Sequence, residues 1–349
     1  MNRATNELDV MRVPDAEISP DGHVSVQIAR DVYCIPLSIV NAYLIGTREN
    51  FVLVDCGLYL SAGKILRAID ERFGAGARPA AIVLTHGHFD HVGSLTQLLN
   101  IWNNVTVYAH RMEMPYLDGR SSYPPPDPTV GGGAMALMSP LYPKSPLYIE
   151  EHLQRLAEDG SVATLTGWQW IPTPGHTPGH VSLYRERDGV LIAGDAFVTT
   201  RQESAIAAVM QPLELNGPPA YFTPDWESAK RSVWRLAELE PVIVATGHGR
   251  PLRGEEMRVA LRELALGFDE IARPSHGRYV DQPAVADESG TVSVPPSVVD
   301  PVWMIGGGLA LGILAGLMVR SATNGLGTAR VKQRSTQNIQ RPEYGYMTP

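Results

Sequence analysis

The segment THGHFDH at 85–91 places four potential metal donors, His86, His88, Asp90 and His91, within six residues. Imidazole and carboxylate are the donors that Zn²⁺ and similar ions take, and four of them on one turn can serve two ions. Without a cation such a cluster is costly, because crowded histidines and a carboxylate are desolvated together or repel one another. Alternate residues His86 and His88 project to one side of an extended turn, which leaves Asp90 and His91 to face a second site. The turn follows the apolar run AAIVLT at 80–85, which reads as a buried strand. A chain with this segment has to gather these costly donors on one turn at the end of a buried strand, which leaves a purely structural reading little room.

The surrounding pattern supports such a scaffold. NAYLI at 41–45 and FVLVD at 51–55 read as strands. Ser61 is placed to cap a helix in which Ile65, Leu66, Ile69 and Phe73 recur at helical spacing, with Gly74 as its stop. A helix from Val92 to Leu99 and a strand VTVYA at 105–109 follow. Strands resume at WQWIPT (168–173), VSLYRE (181–186) and GVLIAGD (189–195). A helix over 226–239 then buries Ala229, Val233, Leu236 and Leu239 on one stripe. VIVATG at 242–247 is the last strand of the set, and a helix over 255–272 closes the series. Both halves thus run as strands ending in His or Asp with helices between them, the pattern of sheets covered by helices.

Residues 111–148 interrupt the series with eight prolines, the runs PPPDP at 124–128 and GGG at 131–133, four tyrosines and four methionines. So many aromatic and Met residues predict a lid-like insertion packed on something apolar rather than a solvated linker. Residues 1–272 are expected to form one catalytic domain, 273–301 a Pro-rich linker, 302–319 an apolar helix and 320–349 a basic, disordered tail. At about 150 residues per domain, 349 residues would also allow two domains, but the pattern assigns the extra length to appendages.

The formal net charge of -8 hides an asymmetry. Arg320, Arg330, Lys332, Arg334 and Arg341 against Glu343 give +4 beyond residue 319, and with no charge in 301–319 this leaves -12 for residues 1–300. An acidic body repels phosphate backbones and argues against nucleic acid as a partner. Two cysteines, Cys34 and Cys56, are too few for a disulfide scaffold, and Met1 to Pro14 lack the apolar stretch of a secretory signal. A cytoplasmic location is therefore expected. No Ser-His-Asp spacing, phosphate loop or dinucleotide fingerprint competes with the metal cluster.

Five motifs, THGHFDH at 85–91, TPGHTPGH at 173–180, AGDAF at 193–197, ATGHG at 245–249 and VDCG at 54–57, resemble in sequence and order those of the metallo-β-lactamase superfamily. The resemblance covers about residues 24–255. It implies an α+β fold, an αββα sandwich of two mixed β-sheets with outer helices. It also implies that His86, His88 and His176 hold one metal, that Asp90, His91 and His248 hold a second, and that Asp195 bridges them. Asp55 would support the His-rich turn from behind. Two Zn²⁺ per chain are expected, with Fe or Mn as alternatives. Asp90 is a candidate proton shuttle, and His180, four residues from His176, a candidate for a substrate-contacting or supporting role. His23, His110, His152 and His276 have no such context.

The reaction expected of two bridged cations is attack on a carbonyl by a shared hydroxide, with the oxyanion stabilised by the metal held by three histidines. His88 argues against flavodiiron-type relatives, which carry Glu in this turn, and the lack of a ligand-position cysteine against Cys-using β-lactamases. Val198 stands where acyl-homoserine lactonases tend to carry Tyr, and only one helix follows His248 where glyoxalase II adds a helical domain. A hydrolase of a small ester, thioester, lactone or amide remains, acting on a small-molecule acyl substrate. The alternatives are a mononuclear iron dioxygenase acting on persulfides and a membrane-tethered metal-binding module without catalysis.

Val302 to Val319 is an uncharged run of eighteen residues, about 27 Å as a helix, and is expected to contact or cross a membrane as an anchor. Gly308, Gly312 and Gly316 share one face at four-residue spacing, which predicts self-association of such helices.

Overall fold

In the computed structural model, described over residues 24–205 and 214–298, the inner strands are buried on both faces. Phe51 and Leu53 pack to one side of their strand, and Val52 and Val54 to the other. Leu191 and Ala193 separate in the same way from Val190 and Ile192. A strand with two buried faces has to lie inside a layered structure.

The first sheet has the order β1 (Val26–Ala29), β2 (Val32–Leu37), β3 (Val40–Thr47), β4 (Asn50–Val54), β5 (Ala81–Val83), β6 (Thr106–Ala109) and β7 (Leu153–Arg155). It is antiparallel up to β4 and parallel from β4 to β7. The second sheet contains β8 (Ser161–Val162), β9 (Leu165–Pro172), β10 (Val181–Arg185), β11 (Val190–Gly194), β12 (Ile243–Thr246) and β13 (Leu252–Arg253), in the order β13-β12-β11-β10-β9-β8. Only β11 and β12 pair in parallel there, so both sheets are mixed.

Three apolar layers result. The helices Ala62–Phe73 and Leu95–Ile101 cover the first sheet with Ile65, Ile69, Leu95 and Leu98. The helices Trp226–Glu238 and Glu255–Leu266 cover the second with Val233, Leu236, Leu261 and Leu264. Between the sheets lies a third layer that includes Tyr43, Val52, Val83, Leu183, Ile192 and Ala245. Each fully buried Val, Leu or Ile contributes about 1.5–3 kcal/mol, which makes the middle layer the main cohesive element between the sheets. The expected four-layer α+β sandwich is what the chain forms.

Polar bonds fix how the sheets meet at one edge. Val181 N donates to Thr85 O at 3.0 Å, and Asn41 N to Gly247 O at 2.7 Å. Tyr43 Oη donates to Thr246 O at 2.6 Å, and Asn41 Nδ2 reaches both Thr246 O and Gly249 O. Because β9, β11 and β12 run the same way, their C-terminal ends share this edge, and it is there that the motif-bearing turns emerge.

The structure corrects four local expectations. The helix expected over 92–99 is two short pieces, Phe89–Val92 and Leu95–Ile101, because Gly93 N turns away to Gly57 O at 2.8 Å. Ser61 makes no side-chain cap. Ser94 Oγ does that work from a distance, accepting from Ser61 N at 2.8 Å and Ala62 N at 3.1 Å while donating to Leu58 O. The helix over 255–272 breaks at Gly267 into Glu255–Leu266 and Phe268–Ile271.

The linker expected over 273–301 is, as far as residue 298, docked structure. A hairpin of β14 (Val285–Asp287) and β15 (Gly290–Ser293) sits against the 111–148 insertion through Thr291 N to Ser121 Oγ at 3.0 Å, and Tyr279 is buried with its hydroxyl on Pro125 O. The insertion itself folds into short helices, among them Met114–Leu117 and Ala134–Met138. Among the described residues no helix is long and apolar enough to cross a membrane. The apolar helix expected over 302–319, its Gly308, Gly312 and Gly316 face and the basic tail lie outside the described residues.

Candidate metal centre

The seven expected ligands come together. Their donor atoms fall into three groups within 4.8 Å, namely His86, His88 and His176; His86, His91 and Asp195; and Asp90, His91 and His248. All seven residues are buried, Asp90 being the most accessible at 7 %. His86 to His91 leave the end of β5, His176 the turn after β9, Asp195 the end of β11 and His248 the end of β12.

Donor spacing provides a test of fit. Two donors bound at 2.0–2.1 Å to one tetrahedral ion stand about 3.3 Å apart. His88 Nδ1 and His176 Nε2 are 2.9 Å apart. Asp195 Oδ2 is 3.4 Å from His176 Nε2 and 3.1 Å from His248 Nε2, while Asp195 Oδ1 is 3.5 Å from His91 Nε2. Asp90 Oδ2 is 3.4 Å from His248 Nε2. The Asp195 carboxylate therefore faces ligands of both triads, as a bridging group must.

Unpaired atoms point the same way. Among the described residues, six buried side-chain polar atoms have no hydrogen-bond partner, and four of them, His86 Nε2, His91 Nε2, His176 Nδ1 and Asp195 Oδ1, belong to this cluster. Each such atom costs about 1–3 kcal/mol, and cations at the centre would remove the penalty for His86 Nε2, His91 Nε2 and Asp195 Oδ1, whereas His176 turns Nε2 rather than Nδ1 to the centre. The residues fit a pair of metal ions.

Neighbours fix the histidine tautomers. Asp55 accepts from Thr85 N, Thr85 Oγ1 and His91 Nδ1 at 2.7–2.8 Å. Thr85 Oγ1, having given its proton to Asp55, accepts from His86 Nδ1 at 3.1 Å. His248 Nδ1 donates to Ile39 O at 2.6 Å. In the neutral form of all three residues the proton sits on Nδ1, so Nε2 is the nitrogen turned to the centre and offered to a metal.

The charge states divide by triad. Burial pushes His86 and His176 well below the usual histidine range, with neighbouring histidines adding to the effect, and takes His88 to about 4. Burial works against charge on His91 and His248 as well. There, however, Asp195 and the other carboxylates outweigh it, raising His91 and taking His248 to about 10. Burial would raise Asp195, but His248 and His91 hold it well below the carboxylate range. Asp90 is likewise lowered, with the bond to His248 overcoming burial.

His180 does not present a free nitrogen to the centre. Its Nε2 accepts from Asp195 N at 2.9 Å. Its Nδ1 therefore donates to Thr173 Oγ1 at 2.8 Å, and the relay continues through Ser182 Oγ to Ala193 O. Of the two roles expected of His180, these bonds serve the supporting one and not substrate contact: Nε2 holds the Asp195 backbone, and Nδ1 is anchored on Thr173. Asn41, Tyr43, Glu113 and Tyr123 also shape the centre and were not singled out from sequence, since each is a lone polar residue in an unremarkable context. Thr85 and Thr173 carried a signal, because each opens one of the His motifs.

The profile of the Metallo-beta-lactamase superfamily matches residues 35–248. The chain is similar to "Probable metallo-hydrolase YflN" of Bacillus subtilis (strain 168), 48 % identical over 248 residues that make up 70 % of this chain and 94 % of that protein. It is also similar to "Hydroxyacylglutathione hydrolase" of Pectobacterium atrosepticum, 28 % identical over 145 residues, 41 % of either chain. A solved structure, that of a metallo-beta-lactamase family protein from Thermus thermophilus, aligns with a TM-score of 0.47 at 22 % identity, covering 70 % of this chain and 81 % of that one. With all seven ligand positions inside the matched span, the chain belongs to the metallo-beta-lactamase superfamily, as a metal-dependent hydrolase.

Proposed function

We propose that the protein is a binuclear hydrolase that cleaves a small ester, thioester, lactone or amide with an apolar acyl group. The observation that carries this reading is the pair of buried donor triads facing one carboxylate, Asp195. His86, His88 and His176 would hold one ion, and Asp90, His91 and His248 the other. Zn²⁺ suits this mixture of imidazole and carboxylate. When bound, the two cations supply an acidified water as nucleophile and polarise the carbonyl under attack.

The chain's own residues set the geometry for this chemistry. Asp55, Thr85 and Ile39 O hold the Nδ1 protons of His91, His86 and His248, so that Nε2 is the nitrogen each would offer to a metal. Asp90 directs Oδ2 at His248, so Oδ1 is the oxygen able to receive a proton during attack and return it to the leaving atom. Beside His88 stands an aromatic wall: Phe222 lies 4.6 Å from its ring, and Tyr142, from the insertion, lies 5.9 Å from Phe222 and 5.5 Å from Phe89. Such a surface excludes water and favours an apolar acyl group. The similarity to a hydroxyacylglutathione hydrolase supports placing thioesters first among the candidates.

Metal analysis of the purified protein, paired with turnover of thioesters, lactones, esters and β-lactams, tests the reading. Two zinc ions per chain with hydrolysis is the expected result. One iron with oxygen uptake on persulfides would replace it with the dioxygenase reading, which leaves the convergence of Asp90, His91 and His248 unused. Two ions with no turnover of any substrate would leave only a metal-binding module. For the aromatic wall, Tyr142→Ala is expected to raise KM about tenfold for long acyl chains and little for acetyl substrates, on the scale of one buried aromatic contact.

A further inference from the structure

Glu113 is completely buried near the start of the insertion, and its carboxylate meets four donors. Oε2 accepts from Gly87 N at 3.0 Å and from the Tyr123 hydroxyl. Oε1 accepts from Thr177 Oγ1 and Gly179 N, both at 2.8 Å. Gly87 lies between His86 and His88. Thr177 follows His176, and Gly179 precedes His180. One oxygen thus grips the turn that carries two histidines of the first triad, and the other grips the turn that carries the third.

We propose that Glu113 is a positioning residue for the three-histidine metal site, a buried clasp that fixes the spacing of His86 and His88 against His176. The inference rests on the two-ion reading above and assigns a role to a residue outside every group of donors. The rigid carboxylate converts the separation of two sequence-distant turns into a covalent dimension. It acts where spacing matters most, at the 2.9 Å approach of His88 Nδ1 to His176 Nε2. Tyr123 completes the clasp, since it also accepts from Gly87 N at 2.9 Å and sets its ring 4.6 Å from that of His88.

The glycines of both motifs answer to this contact. A Cβ on Gly87 would lie 2.6 Å from Tyr123 Oη, and one on Gly179 would lie 2.8 Å from Glu113 Cγ. Each motif keeps a glycine where the clasp approaches. An ordinary buried structural glutamate has no reason to draw its donors from two ligand turns. Groups that orient metal ligands from behind alter metal affinity about 10–100-fold when removed.

The test uses the full chain loaded with Co²⁺, read by its visible absorption and by competition with a chelator. Glu113→Ala is expected to weaken the three-histidine site about 10–100-fold and to shift the cobalt spectrum. Glu113→Gln, which keeps an acceptor for Thr177 and Gly179 but turns an amide on Gly87, should lose less, and Tyr123→Phe least. Arg185→Met serves as a control, because it disrupts a buried ion-pair cluster at the far end of β10 and should lower Tm without changing cobalt affinity or spectrum. If Glu113→Ala does not fold, Glu113→Gln and Tyr123→Phe carry the test. First-site affinity within twofold of wild type in the folded variants, with an unchanged spectrum, overturns the clasp. A wild-type protein that binds only one ion, at Asp90, His91 and His248, would overturn the two-ion reading and the clasp with it.

Discussion

The two halves of the molecule furnish the metal centre in different ways. The first sheet delivers four donors from one turn, His86, His88, Asp90 and His91, whereas the second delivers His176, Asp195 and His248 from three separate turns. In the first half the ligands hold one another in sequence, and Asp55 needs to brace only that turn. In the second half each ligand depends on how the strands dock. Asn41 and Tyr43 reach across from the first sheet to tie down the 246–249 turn, and His180 ties down Asp195. Half of this centre is therefore a local motif, and the other half is a property of the tertiary fold.

The sharpest way to break this comparison is to remove the carboxylate that joins the halves. Asp195→Ala should release or weaken both ions and lower kcat/KM about a thousandfold or more, the scale on which an electrostatic stabiliser is lost. His248→Ala should strip only the ion shared with Asp90 and His91. Metal analysis of the two variants separates these outcomes. Two ions retained in Asp195→Ala would mean that this carboxylate joins nothing.

Acid should part the two sites next. In the metal-free protein His248 titrates at about 10, so near neutrality it holds a proton that an incoming ion has to expel. His91, raised as well, adds a second proton, so affinity at the Asp90, His91 and His248 site is expected to fall at least about tenfold for each pH unit on going from neutral to acid. His88, held to about 4 by burial, has no proton to lose near neutrality, and affinity at the three-histidine site should stay flat down to that region. Lowering the pH from 8 to 5 should strip one ion while the other stays. Simultaneous loss of both, followed by metal content after gel filtration at each pH, would contradict the division of charge states described above.

The bracing residues offer a finer comparison. Asp55→Ala leaves His91 Nδ1 and two Thr85 donors without an acceptor and, through Thr85, unsettles His86. His180→Ala frees only the Asp195 N–H and Thr173 Oγ1. Both should weaken metal binding within a range of about 10–100-fold, with Asp55→Ala toward the upper end. Chelator competition ranks them, and a larger effect at His180 would mean that Asp195 rather than the His-rich turn limits the strength of the centre.

What could be read from the sequence follows the same division. His86, His88, Asp90 and His91 announce themselves because four costly donors in six residues have few other uses. His176, Asp195 and His248 were reached through the resemblance of whole motifs, since a lone His or Asp after a strand says little about its partners. Glu113 gave no signal at all: its meaning lies in four donors that are distant in sequence. The layers were legible from apolar runs and helical stripes. The hairpin over 285–293 was not, because its strands are short and largely exposed, and what holds them is the insertion on which they dock.

The smallest expected effect concerns how the first turn is anchored to the scaffold. Ser61 stands at the helix start yet makes no side-chain cap, and Ser94, three residues beyond His91, supplies the acceptor for Ser61 N and Ala62 N. Ser94→Ala should therefore cost about 1 kcal/mol, the usual value of an N-cap, while Ser61→Ala should cost under about 0.5 kcal/mol. In a domain of this size the former lowers Tm by about 2–4 °C. Both variants should retain full metal content, because Ser94 holds the outer end of the turn and Asp55 the inner one. Thermal unfolding of the metal-loaded variants checks the pair. If Ser61→Ala proved the more damaging, the helix would be capped locally, and the first ligand turn would lose its tie to the covering helix.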